Sequence, residues 1–322
     1  MVDIAKAVGK HKTSIYRELS RNNAGASKYG AQAAQASTAK RRRGAGLARR
    51  KLGADIKTPR WRHVIDGLRC RWSPQQIVGR LEQRYPLAER IGLKDLQVSH
   101  ETIYAAIYAM PRGTLRAELV SLLRMSHKVR MPRTRGQGRF TGLRDITPIT
   151  LRPPEVAARV VPGDWEGDLI KGQGNRSSVG TLVERVSRYT MLVKLDDASA
   201  ANVLEGFTRR LRNVPESLRR TMTYDQGTEM ASHKLLAKQL HIDVFFCDPH
   251  SPWQRGTNEN TNGLLRQYMP KGIDLSQFSH QELLAIEHSL NNRPRKILGF
   301  RTPAEVFAEL KLNDIAGVAL QV

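Results

Sequence analysis

Acidic side chains at three separated places in the C-terminal half of this 322-residue chain are the groups best suited to do chemistry. Asp168 stands in Trp165-Glu166-Gly167-Asp168-Leu169-Ile170, on a predicted strand that runs into apolar residues. A carboxylate there is costly unless it is paired or bound to a metal. Asp164 and Glu166 follow the two-residue period of the same strand face, so spacing alone does not choose among the three. Asp225 ends a predicted strand in Tyr224-Asp225-Gln226-Gly227-Thr228-Glu229, where Gly227 permits a sharp turn that exposes the carboxylate at the sheet's edge; Glu229 is a weaker rival. Glu259 enters a predicted helix within Ser251-Pro252-Trp253-Gln254-Arg255-Gly256-Thr257-Asn258-Glu259, followed by Asn262 and Arg266. Asn258, Asn262 and Arg266 fall at or near the face of Glu259, since seven residues make close to two turns.

Carboxylates that converge from separate elements are ligands for hard divalent cations, Mg2+ or Mn2+, with positions left open for water and phosphate. Two such ions about 4 Å apart activate an oxygen nucleophile on one side of phosphorus and stabilise an oxyanion on the other. That is what phosphodiester cutting and strand transfer require. Each acid taken singly reads better as a cap, a turn residue or a salt-bridge partner; only their combination in one domain carries the metal reading.

The elements that must position these acids begin near Val160. Asp164 to Ile170, Ser178 to Val186 and Tyr189 to Leu195 are predicted strands, the last two joined by a turn at Ser187-Arg188. Ala200 to Leu211 is a predicted helix, Thr221 to Asp225 a short strand, Ser232 to Leu240 a helix and Ile242 to Phe246 a buried strand. Strand hairpins followed by strand-helix-strand alternation imply an α/β fold, a mixed sheet with helices packed on its faces.

The front half is helical and basic. Ile4, Ala5, Val8, Ile15 and Leu19 recur at helical spacing around a break at Gly9-Lys10-His11-Lys12, with Thr13 as the expected N-cap. This predicts a helix-turn-helix at residues 1–24 whose second helix offers Ser14, Arg17 and Arg21 to a major groove. The turn lies so near Met1 that a preceding helix is expected to be missing. Residues 25–58, with Lys40-Arg41-Arg42-Arg43 and Arg49-Arg50-Lys51, read as a basic linker or a helix lying on DNA. Trp61, Val64, Ile65, Leu68 and Trp72, then caps at Ser73 and Ser99, predict a second helical unit at 59–110. A second basic linker, 111–158, contains Arg130-Met131-Pro132-Arg133, and residues 159–315 are the expected catalytic domain.

Composition fits that division. A formal charge of +23 and a pI near 10.6 call for a polyanionic partner. Nucleic acid suits charge spread over the whole length better than a membrane does. No apolar run approaches a bilayer span and the start lacks a signal peptide's order, so a cytoplasmic protein on DNA is expected. Cys70 and Cys247, far apart and without His at zinc spacing, are expected to be reduced packing residues.

At Trp165 to Ile170, Thr181 to Tyr189, Tyr224 to Glu229, Phe246 to Met269 and Leu290 to Lys296, the chain resembles the insertion-sequence-thirty family of transposases. The resemblance extends over nearly the whole chain. It implies a ribonuclease H-like catalytic domain with an Asp-Asp-Glu triad on Asp168, Asp225 and Glu259, the last two separated by 33 residues. It further implies two Mg2+ or Mn2+ ions held by that triad, and a DNA-gripping role for Arg266. The terminal inverted repeats of an insertion sequence and a target site are the implied DNA partners. Pairing two DNA ends implies a homo-oligomer. Asp164 stands where relatives often have His, and the front end is shorter than theirs. A chain that occupies element ends without cutting is the competing expectation; a retroviral-type integrase would need a His-His-Cys-Cys unit that is absent from this sequence.

Overall fold

The computed structural model describes residues 2–22, 29–48, 52–53, 55–85, 96–123, 143, 145–249 and 251–315. The basic groups Arg49-Arg50-Lys51 and Arg130 to Gly136 lie outside these residues. Among the described residues no helix is long and apolar enough to cross a membrane.

Helices α1 (Val2–Ala7) and α2 (Lys12–Arg21) flank the expected turn, where Gly9 takes a φ of 63°. The N-cap of α2 is His11, not Thr13: the imidazole accepts the Thr13 N–H, and the helix starts earlier than expected. Ser14, Arg17 and Arg21 are all exposed, spaced to share one face. Of the two readings of the next segment, the helix is the one observed: α3 (Ala31–Ala48) follows from its Ala, Gln, Lys and Arg content, which favours helix without an apolar stripe. Arg41 anchors it by donating to the Arg21 carbonyl and Asn22 Oδ1, a cation at the C-terminal end of α2.

Four helices form the second unit: α4 (Pro59–Arg69), α5 (Pro74–Arg84), α6 (His100–Ala109) and α7 (Thr114–Leu122). Thr58, Ser73 and Ser99 cap the first three, Ser73 in a reciprocal capping box with Gln76. Trp61, Val64, Leu68, Ile77, Ile103 and Ile107 meet in one core. Helix α7 lies inside the segment expected to be a linker, and its Leu119 and the following Leu123 complete that core. Cys70, expected to pack, is instead exposed at the end of α4, whereas Cys247 is buried; both are free.

After α8 (Pro154–Ala158) come β1 (Asp164–Lys171), β2 (Ser178–Glu184), β3 (Thr190–Lys194), α9 (Ala200–Leu211), β4 (Thr221–Tyr224), α10 (His233–Leu240) and β5 (Asp243–Phe246). Helices α11 (Gly256–Leu265), α12 (His280–Asn291) and α13 (Pro303–Ile315) follow. The strand order is β3-β2-β1-β4-β5, antiparallel from β1 to β3 and parallel from β1 through β4 to β5. This is the expected mixed sheet with flanking helices, of the ribonuclease H-like class. Strand β2 stops two residues early because Glu184 accepts the N–H groups of Val186 and Ser187 and folds the turn.

Alternation along β1 divides the core. Trp165 and Leu169 join Phe207, Leu211 and Leu236 from α9 and α10 on one face. Ile170, Val179 and Leu192 meet Leu264, Leu265 and Leu290 from α11 and α12 on the other. The helical unit docks on this domain through α5. A Cβ on Gly79 would come within 2.3 Å of the Phe300 ring, Gln76 donates to the Pro294 carbonyl, and Arg80 bonds Glu305.

Candidate active site

The acid-bearing face of β1 is the one that α11 covers. Asn258, fully buried in the first turn of α11, fastens the helix there: its N–H donates to Glu166 Oε2 at 2.8 Å and its amide to the Glu166 carbonyl at 2.9 Å. Thr181 on β2 donates to its Oδ1 at 3.1 Å. The register of β1 with β4 sets Glu166 beside Thr223, which brings the residue after β4, Asp225, to the open end of this face.

The three acids of β1 then separate by what surrounds them. Asp164 is buried and accepts from Thr221 at 2.9 Å; burial pushes its carboxyl above the ordinary Asp value, against the Thr221 hydrogen bond. Glu166 is fully buried against Arg185 at 3.1 Å. Only Asp168 reaches the rim, with a quarter of its side chain exposed (25%). Its Oδ1 takes the Leu169 N–H and its Oδ2 the Asn262 amide, each at 2.9 Å. Burial raises its pKa, Arg255 pulls it back, and the like charge of Asp225 adds to the rise.

Arg255, the N-cap residue of α11, joins the two rim acids. Its Nη1 lies 3.1 Å from Asp168 Oδ1 and its Nη2 3.0 Å from Asp225 Oδ2. Nη1 also donates to the Gly167 carbonyl at 3.0 Å, and the guanidinium sits 5.9 Å from the Tyr224 ring centre. Burial works against its charge, but Asp168 and Asp225 outweigh burial and raise its pKa. Asp225 Oδ1 takes the Gly227 N–H at 3.3 Å, the turn contact that the glycine permits. The carboxyl of Glu229 rests against Gly227 on the turn that follows.

The expected triad is therefore gathered in part. Asp168 and Asp225 meet around one guanidinium, while Glu259 is exposed one turn beyond Arg255 on the same helical stripe. Among the described residues no three His, Cys, Asp or Glu side chains converge closely enough to hold an ion. Arg266, two further turns along that stripe, spends its guanidinium on the carbonyls of Lys171 and Met269, tying α11 to the end of β1. Sequence reasoning passed over Arg255. Its signal was a four-residue spacing to Glu259, which places a cation on the face of an acid.

The integrase core domain family matches residues 159–252, a span that holds Asp168 and Asp225 and ends before Glu259. A transposase for insertion sequence element IS1086 from Cupriavidus metallidurans is 49% identical over 318 residues, 99% of this chain and 91% of its own. The chain belongs to the insertion-sequence-thirty (IS30) family of transposases. DNA transposition is the function that this membership carries. A second member, transposase InsI of element IS30A from Escherichia coli K12, is 39% identical over 94% of this chain and 77% of its own. The catalytic core domain of BIV integrase is a more distant likeness, 18% identical with a TM-score of 0.37, covering 48% of this chain and 98% of that one.

Proposed function

We propose that this chain cuts and joins DNA strands at the ends of an insertion sequence, with Asp168, Asp225 and Glu259 as its catalytic acids and a divalent cation as cofactor. The observation that carries the reading is the meeting of Asp168, on β1, and Asp225, just past the neighbouring parallel strand β4, around a shared positive charge at the rim of the sheet. The pair fits a divalent cation, being two hard oxygen donors that already bracket a cation. Glu259, exposed on the adjoining turn, is the third donor of the proposal. When bound, Mg2+ or Mn2+ supplies charge stabilisation to the phosphoryl oxygens during displacement at phosphorus.

The chain's own residues orient and bind. The Leu169 N–H and Asn262 amide fix the two oxygens of Asp168, and Asn258 holds the helix that carries Glu259. In the first step water adds to the phosphorus at the element end and the 3′ oxygen leaves, taking up a proton. In the second that 3′ hydroxyl loses its proton and attacks a target phosphodiester, whose own 3′ oxygen departs. The exposed face of α2, with Ser14, Arg17 and Arg21, is the reading for DNA contact by residues 1–24, and the α4–α7 unit is a further candidate. A charge of +23 supports a long phosphate footprint, and pairing two element ends calls for more than one copy of the chain.

Cleavage of labelled element ends in Mg2+ is the test. Asp225→Asn and Glu259→Gln are each expected to abolish nicking while leaving gel-shift binding intact. Nicking that survives Asp225→Asn would sink the assignment.

A further inference from the structure

Arg255 is mostly covered, its side chain 13% exposed, where Asp168 and Asp225 come together. Its planar fork reaches an oxygen of each acid and a third acceptor, the Gly167 carbonyl, so it fills the space between the carboxylates. The oxygens that turn away from it are already engaged: Asp168 Oδ2 takes the Asn262 amide and Asp225 Oδ1 takes the Gly227 N–H. Asp168 Oδ1, which also takes the Leu169 N–H, and Asp225 Oδ2 are the oxygens Arg255 holds, so an ion placed between the two acids meets its guanidinium first.

We propose that Arg255 is a built-in stand-in for the catalytic cation, holding the two acids together in the ion-free chain and competing with a divalent ion for them. The inference rests on the proposed role of Asp168 and Asp225 as ligands. Two like charges brought to one rim repel each other, and a cation supplied by the chain itself keeps them poised there. Mg2+ binds oxygen at about 2.0–2.1 Å, far inside the 3 Å contacts of the guanidinium, so an ion at these oxygens displaces the side chain. Arg255 therefore lowers the affinity for the ion in exchange for a site assembled in advance.

The test is Mn2+ binding to the full chain without DNA, followed by electron paramagnetic resonance and calorimetry. Arg255→Gln is expected to bind Mn2+ roughly tenfold tighter than the parent, one step of the affinity scale. Arg255→Lys, which keeps a charge but loses the fork, should fall between the two. Arg266→Gln, which removes a charge elsewhere on the same stripe, should change affinity by less than about twofold. Thermal unfolding gives a second readout: Arg255→Gln is expected to melt below the parent in EDTA, with the gap closing in saturating Mn2+.

Parent binding that depends on Asp225, combined with equal or weaker binding by Arg255→Gln, overturns the stand-in and leaves the metal reading standing. Parent binding indifferent to Asp225→Asn overturns the metal reading itself. Equal tightening in Arg266→Gln overturns the stand-in by reducing the effect to net charge. If Arg255→Gln does not fold, Arg255→Lys decides alone: tighter binding supports the proposal and unchanged or weaker binding refutes it.

Discussion

Glu166→Gln and Asp168→Asn alter acids two residues apart on one strand face, yet they are expected to do opposite things. Glu166 is fully buried against Arg185, itself only 4% exposed, at 3.1 Å. The two atoms in contact form no aligned hydrogen bond, so Coulomb attraction holds the pair. Glu166→Gln keeps an acceptor for the Asn258 N–H but strands a buried guanidinium, and losing one member of a buried pair costs about 3–5 kcal/mol. Arg152 and Arg159 already press on Arg185 with like charge, which the loss of Glu166 leaves less opposed. Asp168→Asn removes a carboxylate that sits partly exposed beside like-charged Asp225. The new amide oxygen still accepts from Leu169 and Arg255, so stability should move by about 1 kcal/mol or less. Urea denaturation measures both costs, and Mn2+ titration with cleavage of labelled ends measures function. The expected outcome is a destabilised Glu166→Gln that still binds Mn2+ when folded, and a stable Asp168→Asn that neither binds nor cuts. A Glu166→Gln as stable as the parent, or an Asp168→Asn destabilised as much as Glu166→Gln, refutes the assignment of one acid to structure and the other to chemistry.

The docking of α5 on the sheet domain should weaken in acid. Arg80 holds the Glu305 carboxyl down to about 2, against an ordinary value of 4.5, with the Thr302 N–H assisting. A depressed carboxyl stabilises the fold fully above its unfolded value and loses that contribution as pH falls from 4.5 toward 2. Solvent screening at a side chain 40% exposed keeps the effect to about 1 kcal/mol, and Glu305→Gln should flatten this acid limb in pH-dependent melting. Leu119→Ala, which opens a cavity under α7, should cost about 2–5 kcal/mol by urea unfolding, whereas a linker residue there would cost nothing. Trp253→Ala should leave stability unchanged in urea unfolding, within about 0.5 kcal/mol, since the indole is 71% exposed. Arg17→Ala on the exposed face of α2 should reduce the slope of log affinity against log salt by about 1 in gel shifts with element ends; an unchanged slope removes that residue from the DNA footprint.

Most of the fold was legible because its signals are local. Caps at Ser73 and Ser99, the Ala200–Leu211 stripe and the β1 alternation each express themselves within one element, and the structure has them where the residues put them. Helix α7 was hidden by its surroundings: Leu115, Leu119 and Leu122 carry a helical period, but they sit among Arg, Gly and Pro residues whose density spoke for a connector. Helix α3 stayed one of two readings, linker or helix, since a helix built on propensity has no stripe to read. The N-cap of α2 went to a His because an imidazole nitrogen accepts a backbone N–H as a hydroxyl does, a role that residue statistics undervalue.

The site was less legible because neutralisation is not a property of spacing. Alternation put Asp164, Glu166 and Asp168 on one face as equals; they are distinguished by partners 57, 19 and 87 residues away, Thr221, Arg185 and Arg255. Arg255 makes the point most sharply. A cation four residues before Glu259 on a helix faces that acid first, yet the side chain turns to Asp168 and Asp225. Charge attraction grows as the surroundings lose water, so two crowded, half-covered carboxylates outbid one exposed in solvent. The same inequality accounts for two more basic residues of the domain: Arg185 goes to buried Glu166 and Arg210 to buried Glu287, while Arg266 donates to backbone carbonyls.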